Sequence, residues 1–152
     1  MKINIQTSIR TDRDLVEVFS MFNKEMFYFL TKNAPVEPVR YDGDFVGAEI
    51  HLQMNLPWKD DWISIITEKS VKTDVCFFVD EGKKLPFNIL EWRHSHIVRR
   101  SDLDIIIEDD IYFKSINWVF DLFWWLVFIP QFLIRKSQYK KYFKRKFSRE
   151  DQ

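Results

Sequence analysis

Two histidines one residue apart, in Trp92-Arg-His-Ser-His96, are the residues of this chain best placed to do chemistry. On a strand, alternate side chains share a face, so Trp92, His94 and His96 point one way and Glu91, Arg93 and Ser95 the other. A buried carboxylate beside either imidazole would hold it in one tautomer and poise it for proton transfer near neutral pH. The following strand offers Asp109 on a face with Ile107, Ile111 and Phe113, opposite Glu108, Asp110 and Tyr112; register decides which acid points inward. His94, His96 and Asp109 are therefore the candidate acid-base residues. Three readings stay open for them: catalysis, a polar anchor for a ligand's head group, and hydrogen-bonded core groups. Zinc would need a third ligand beside the two histidines, from His51 or an acid. No recognisable third ligand stands out, so neither a metal nor another cofactor is expected.

Other sites of chemistry are sparse. Glu49, His51 and Gln53 alternate with Ile50, Leu52 and Met54, and the usual orientation turns the aliphatic face inward. The opposite orientation would make any cavity strongly polar and favour an enzyme. Cys76 is the single cysteine and sits in the apolar run Val75-Cys-Phe-Phe-Val79, which suits a buried, inert thiol and no intrachain disulfide. The chain has no Ser-His-Asp signature, phosphate-binding glycine loop or paired-cysteine metal motif.

The elements that must position these residues follow from periodicity. Lys2 to Ile9 alternates as a half-buried strand. Thr11 or Asp12 can cap a helix with Leu15, Val18, Phe19 and Phe22 as its stripe, and Met26, Phe27, Phe29 and Leu30 give a second short helix. Asn33-Ala-Pro35 and Glu37-Pro38 end it. From Val39 the period is two again. The expected pieces are a turn at Tyr41-Asp-Gly43, a strand Phe45–Leu56, a turn Pro57–Asp61, strands Trp62–Lys69 and Thr73–Asp80, a turn over Glu81–Pro86, and strands Phe87–Arg99 and Leu103–Phe113. Gly43 and Gly82 suit turns, whereas Gly47 predicts a bulge or bend within its strand. The last quarter is aromatic from Trp118 to Phe128, breaks at Pro130-Gln131, and resumes as an amphipathic helix with Phe132, Tyr139, Tyr142, Phe143 and Phe147 on one side. The simplest assembly is a curved antiparallel sheet closed over one C-terminal helix, a fold that often encloses a cavity.

Length and charge narrow the function. The 152 residues amount to one domain, 1–152, with no linker or repeat. Net charge is zero, from 23 basic and 23 acidic residues, and nucleic-acid signatures are absent, so no nucleic acid is expected. Eight lysines and arginines lie between Arg135 and Arg149 without an acid; they read as a solvated helix face or as a surface for anionic lipid. A membrane span over Ile116–Ile134 is disfavoured by Asp121, at about 2.5–3.5 kcal/mol, and by Pro130. The N-terminal residues lack the apolar core of a signal peptide, so a cytoplasmic location is expected.

The order of elements, with Phe45-Val-Gly-Ala-Glu-Ile50, Leu56-Pro57, Trp62-Ile-Ser-Ile-Ile-Thr67, Phe78-Val-Asp-Glu-Gly82, Leu85-Pro-Phe87, Trp92-Arg-His-Ser-His96 and Glu108-Asp-Asp-Ile-Tyr-Phe113, resembles the SRPBCC superfamily. These are the START-like, helix-grip or polyketide cyclase/dehydrase-like proteins, and the likeness is to their bacterial ligand-binding branch. Two features depart from the pattern. The late strand tyrosine is replaced by Phe113 if Asp109 is the matched acid, or is Tyr112 with the register slipped by one, and the C-terminal segment is unusually aromatic.

The resemblance implies an α+β helix-grip fold: a seven-stranded antiparallel sheet wrapped around a long C-terminal helix, with two short helices after strand 1. It also implies a cavity between sheet and helix for a hydrophobic or amphipathic small molecule. The expected function is a carrier or sensor, with Trp92, His94, His96, Asp109, Phe113, Phe120 and Trp124 as ligand-binding residues. A cyclase- or dehydratase-type enzyme using a histidine and Asp109 is the alternative. A module docking on a membrane or protein through the C-terminal aromatic/basic segment is a further one. Oligomeric state is not specified by the sequence.

Overall fold

The alternation of the first strand carries directly into space: in β1 (Lys2–Arg10) Ile3, Ile5, Thr7 and Ile9 are buried and the residues between them exposed. The computed structural model describes residues 1–55 and 59–150. After β1 come α1 (Leu15–Ser20) and α2 (Lys24–Thr31), then β2 (Val36–Tyr41), β3 (Glu49–Met54), β4 (Asp60–Val71), β5 (Val75–Lys84), β6 (Ile89–Ser101), β7 (Asp104–Ser115) and α3 (Trp118–Glu150). The strands form one antiparallel sheet in the order β1-β7-β6-β5-β4-β3-β2. This is the helix-grip fold expected, with α3 held against the inner face of the sheet.

Several boundaries differ from the sequence reading, each for a local reason. The cap of α1 is Asp14, whose carboxylate accepts the N–H groups of Val16 and Glu17. Thr11 is not free to do this, because its N–H donates to the Leu103 carbonyl and its hydroxyl oxygen accepts from Arg13 N–H. Asn23 caps α2 in the same way as Asp14 caps α1. β2 begins three residues before Val39 and contains Pro38, which the sheet tolerates because β2 is an edge strand and shifts register between Pro38 and Arg40.

Gly47 lies just ahead of β3, with φ 94°, and the strand starts at Glu49 rather than Phe45. Gly47 N–H and Ala48 C=O still bond Ile66 across the sheet, so the bend keeps its ladder contacts. Gly82 lies within β5, where a Cβ would collide with Leu85; close packing, not a turn, requires it. The expected Pro57–Asp61 turn falls partly outside the described residues, and Asp60 and Asp61 already belong to β4.

α3 runs unbroken through Pro130, contrary to the expected interruption. Proline removes the N–H that would serve the Leu126 carbonyl, but Leu126 is 59% exposed, so water can take that place. Aromatic packing on the sheet anchors the helix on both sides of the proline. Phe128 contacts Trp62, Trp92, Phe113 and Trp124 at ring-centroid distances of 5.1–5.8 Å. Tyr139 and Phe143, beyond the proline, pack on Phe22 from α1's end at 5.9 and 6.3 Å.

Candidate functional site

β6 delivers both histidines to the inner face because its period of two is unbroken there; His94 is 3% exposed, and Trp92, His94 and His96 all line a partly open cavity between sheet and α3. On one side the register sets Asp80 of β5 opposite His94 and Phe78 opposite His96. On the other it sets Asp109 of β7 opposite His96. Two imidazoles thus lie between two buried carboxylates. His94 Nε2 is 2.9 Å from Asp109 Oδ1, and His96 Nε2 is 3.1 Å from Asp80 Oδ2. Trp92 Nε1–H donates to the other oxygen of Asp80 at 3.1 Å. From α3, the Tyr139 hydroxyl donates to Asp109 at 3.3 Å, and Arg135 places a guanidinium nitrogen 3.5 Å from the same oxygen.

The rings are fixed by stacking as well as hydrogen bonds. His96 lies on Phe78 at 4.3 Å, His94 and His96 are 3.7 Å apart, and Phe132 meets His94 edge-on at 5.3 Å. Arg135 in turn sits over the Phe132 ring at 4.5 Å.

Burial opposes charge on Asp80, His96, Asp109 and Tyr139, and the neighbours decide which charges survive. For Asp109, burial pushes the carboxyl up, but the His94 hydrogen bond, the Arg135 guanidinium and the two imidazoles outweigh it and hold it at about 2. Asp80 is likewise held below the usual carboxylate range: burial raises it, and the His96 hydrogen bond, both imidazoles and Trp92 N–H more than offset that. His96 goes the other way, pushed down to about 4 by burial and then by His94, against the pull of Asp80 and Asp109. Burial, then Asp109, raises Tyr139, which stays a neutral donor. Ionised carboxylates only accept, so the nitrogens facing them carry the protons: Nε2–H of His94 toward Asp109, and Nε2–H of His96 toward Asp80.

The cavity measures about 200 Å³. Its wall is mostly apolar, built from Phe22, Met26 and Leu30 on the helical side, Ile50, Leu52, Met54, Trp62 and Phe78 on the sheet, and Phe128 and Phe132 on α3. Ser64, Asp80, His94, His96, Gln131, Arg135, Gln138 and Tyr139 are its main polar lining. The aliphatic face of β3 points in and the Glu49-His51 face points out; His51 pairs with Asp61 at 3.0 Å.

The site residues expected from sequence divide into three groups. Trp92, His94 and His96 line the cavity, and Asp109 stands behind them, 2% exposed, as a hydrogen-bond acceptor. Phe113 and Trp124 lie in the apolar core, with Trp124 Nε1–H donating to the Phe87 carbonyl at 3.2 Å, and Phe120 packs edge-on against Phe87 at 5.6 Å. These three aromatics support the wall without bordering the cavity.

Asp80, Arg135 and Tyr139 were not singled out from the sequence. Their signals were present: Cys76, Phe78 and Asp80 alternate on one face of β5, and Phe128, Phe132, Arg135 and Tyr139 follow at helical spacing on α3.

No known protein family matches the chain, and no curated protein matches it. Among solved structures, it is similar to a structural-genomics target protein from Nitrosospira multiformis, at 12% identity and a TM-score of 0.52, over 86% of this chain and 92% of that one. It is also similar to Ara h 8.0201, at 10% identity and a TM-score of 0.47, over 77% and 80% of the two chains. The first likeness carries the fold and nothing finer.

Proposed function

We propose that the domain holds one small molecule, an aromatic or short aliphatic body with an acidic or hydroxyl head group, in the cavity between sheet and α3. One observation carries this reading: a mostly apolar cavity of about 200 Å³ also has His94, His96, Gln131 and Arg135 in its wall. Ligand pockets are typically apolar with a few placed polar groups, and an acidic or hydroxyl head group suits that lining. Size limits the body. A dry cavity of roughly 150 Å³ accepts benzene, so about 200 Å³ suits a single ring with a polar substituent. The role is that of a carrier or sensor.

The test pairs native mass spectrometry of freshly purified protein, with solvent extraction of any adduct, with titration of single-ring aromatic acids against their neutral methyl esters. Quenching of Trp62 and Trp92 fluorescence reports binding. Acids should saturate the signal, Arg135→Met should weaken them tenfold or more, and the recovered compound should be unaltered. A compound recovered with water eliminated would establish the dehydratase alternative. No adduct and no saturable binding would overturn the reading.

A second reading concerns delivery. The solvent side of α3 carries Trp118, Val119, Leu122, Phe123, Leu126, Leu133 and Ile134, all exposed, over about 25 Å of helix. The same side continues as Lys136, Lys140, Lys141, Lys144 and Arg145, also exposed. Val127 and Ile134 also border the cavity. An apolar stretch followed by a basic one fits peripheral contact with an anionic bilayer from which a ligand enters. Flotation with phosphatidylserine-containing vesicles, lost in Trp118→Ser/Leu126→Lys, would support it; protein that stays unbound at low salt would refute it.

A further inference from the structure

The geometry points to a divalent transition-metal site, of the zinc class, formed by Asp80, His94 and His96 at the wall of the cavity. Among the described residues these three groups bring one ligand atom each within 4.8 Å of one another. Asp80 Oδ2 is 3.1 Å from His96 Nε2 and 3.6 Å from His94 Nδ1. A tetrahedral ion with bonds of about 2.0–2.2 Å places its ligand atoms roughly 3.4 Å apart, close to the two distances from Asp80 Oδ2. Two imidazoles and one carboxylate are also the donor set of open, three-ligand zinc centres.

The surroundings add to the spacing. His94 Nε2 is engaged by Asp109, which leaves its Nδ1 turned toward Asp80 Oδ2 on the side where the ion would sit. His96 supplies the complementary clue. Its Nδ1 is buried without a hydrogen bond and lies 3.5 Å from Asp109 Oδ1. Moving the His96 proton from Nε2 to Nδ1 would free Nε2 for the ion and let Nδ1–H turn to Asp109. The same carboxylate would then orient both ligand rings, and Trp92 N–H would orient the ligand carboxylate, as outer-shell partners do in metal centres.

Charge balance adds a prediction about what the ion would hold. With neutral rings, two carboxylates and Arg135 sum to one negative charge; a dication reverses this to one positive charge. All three ligands border the cavity, so the open coordination position faces it and an anionic oxygen there restores neutrality. This last step rests on the cavity reading above; the ion itself does not.

The test uses tag-free protein stripped with EDTA and titrated with Zn²⁺ by calorimetry and with Co²⁺ by visible absorption, in the absence of any organic ligand. The expected result is one ion per chain, with a four- or five-coordinate Co²⁺ spectrum. Asp80→Asn and His96→Gln should each weaken binding at least a hundredfold, Asp109→Asn by about 10–100-fold, and His51→Gln on the outer face not at all. Circular dichroism identifies any variant that fails to fold, and the wild-type stoichiometry stands without the variants. Absence of stoichiometric binding by wild-type protein, or binding indifferent to folded Asp80→Asn and His96→Gln, would overturn the site. Failure of aromatic acids to bind a protein that takes up the ion would reject the cavity reading alone.

Discussion

Acid should destabilise this domain before Asp80 and Asp109 titrate, and His96 is the reason. In the folded state His96 sits at about 4, against 6.5 for a free imidazole. Between those values the unfolded chain takes up a proton that the folded chain refuses, so folding weakens as pH falls. The sign is fixed by the depression: there is no penalty above pH 6.5, and a growing one down to pH 4. A shift of this size corresponds to about 3 kcal/mol, at 1.36 kcal/mol per unit, a large fraction of the stability of a small domain. Urea unfolding followed by tryptophan fluorescence at pH 7, 6, 5 and 4, with EDTA present, measures the slope. His96→Gln cannot titrate, so its slope should be shallower by that amount, even though loss of the Asp80 hydrogen bond lowers its stability at pH 7. Equal slopes in the two proteins would refute the burial argument and with it the picture of a neutral His96.

Three further predictions follow from named contacts. Trp92→Phe keeps a ring but strips Asp80 of its indole donor, and should cost about 1–3 kcal/mol for the buried acceptor left short, read as a drop in urea midpoint. Phe128→Ala removes the ring shared by Trp62, Trp92, Phe113 and Trp124, and should cost about 3–5 kcal/mol; a loss below 1 kcal/mol would mean the cluster repacks. Pro130→Ala restores the missing helical hydrogen bond to Leu126 and should stabilise by roughly 1–3 kcal/mol, seen as a higher melting temperature.

What was legible in the sequence was whatever repeats. The period of two that marks β1, β3 and β6 sorted their side chains into faces, so Trp92, His94 and His96 could be set together and Ile50, Leu52 and Met54 grouped; which face lines the cavity was left to the fold. The resemblance to helix-grip proteins supplied the strand count that periodicity alone did not. What was not legible depends on pairing across the sheet. Asp80 enters the site only because β5 and β6 register it opposite His94, and nothing local to Phe78-Val-Asp-Glu separates it from a solvated acid. Arg135 looked like one of eight cations until the fold placed it over Phe132 beside Asp109. Pro130 misled in the other direction, because local helix rules see a missing hydrogen bond but not the aromatic packing that carries the helix past it.

The proline in β2 has a consequence for assembly. β2 is an outermost strand of the sheet, and an exposed edge invites a strand from another molecule to extend it. Here an incoming strand would find no N–H at Pro38, a slipped register at the next pairing, and the charged side chains of Glu37 and Arg40. The side of the sheet nearest α2 is thus poorly suited to growth by backbone pairing.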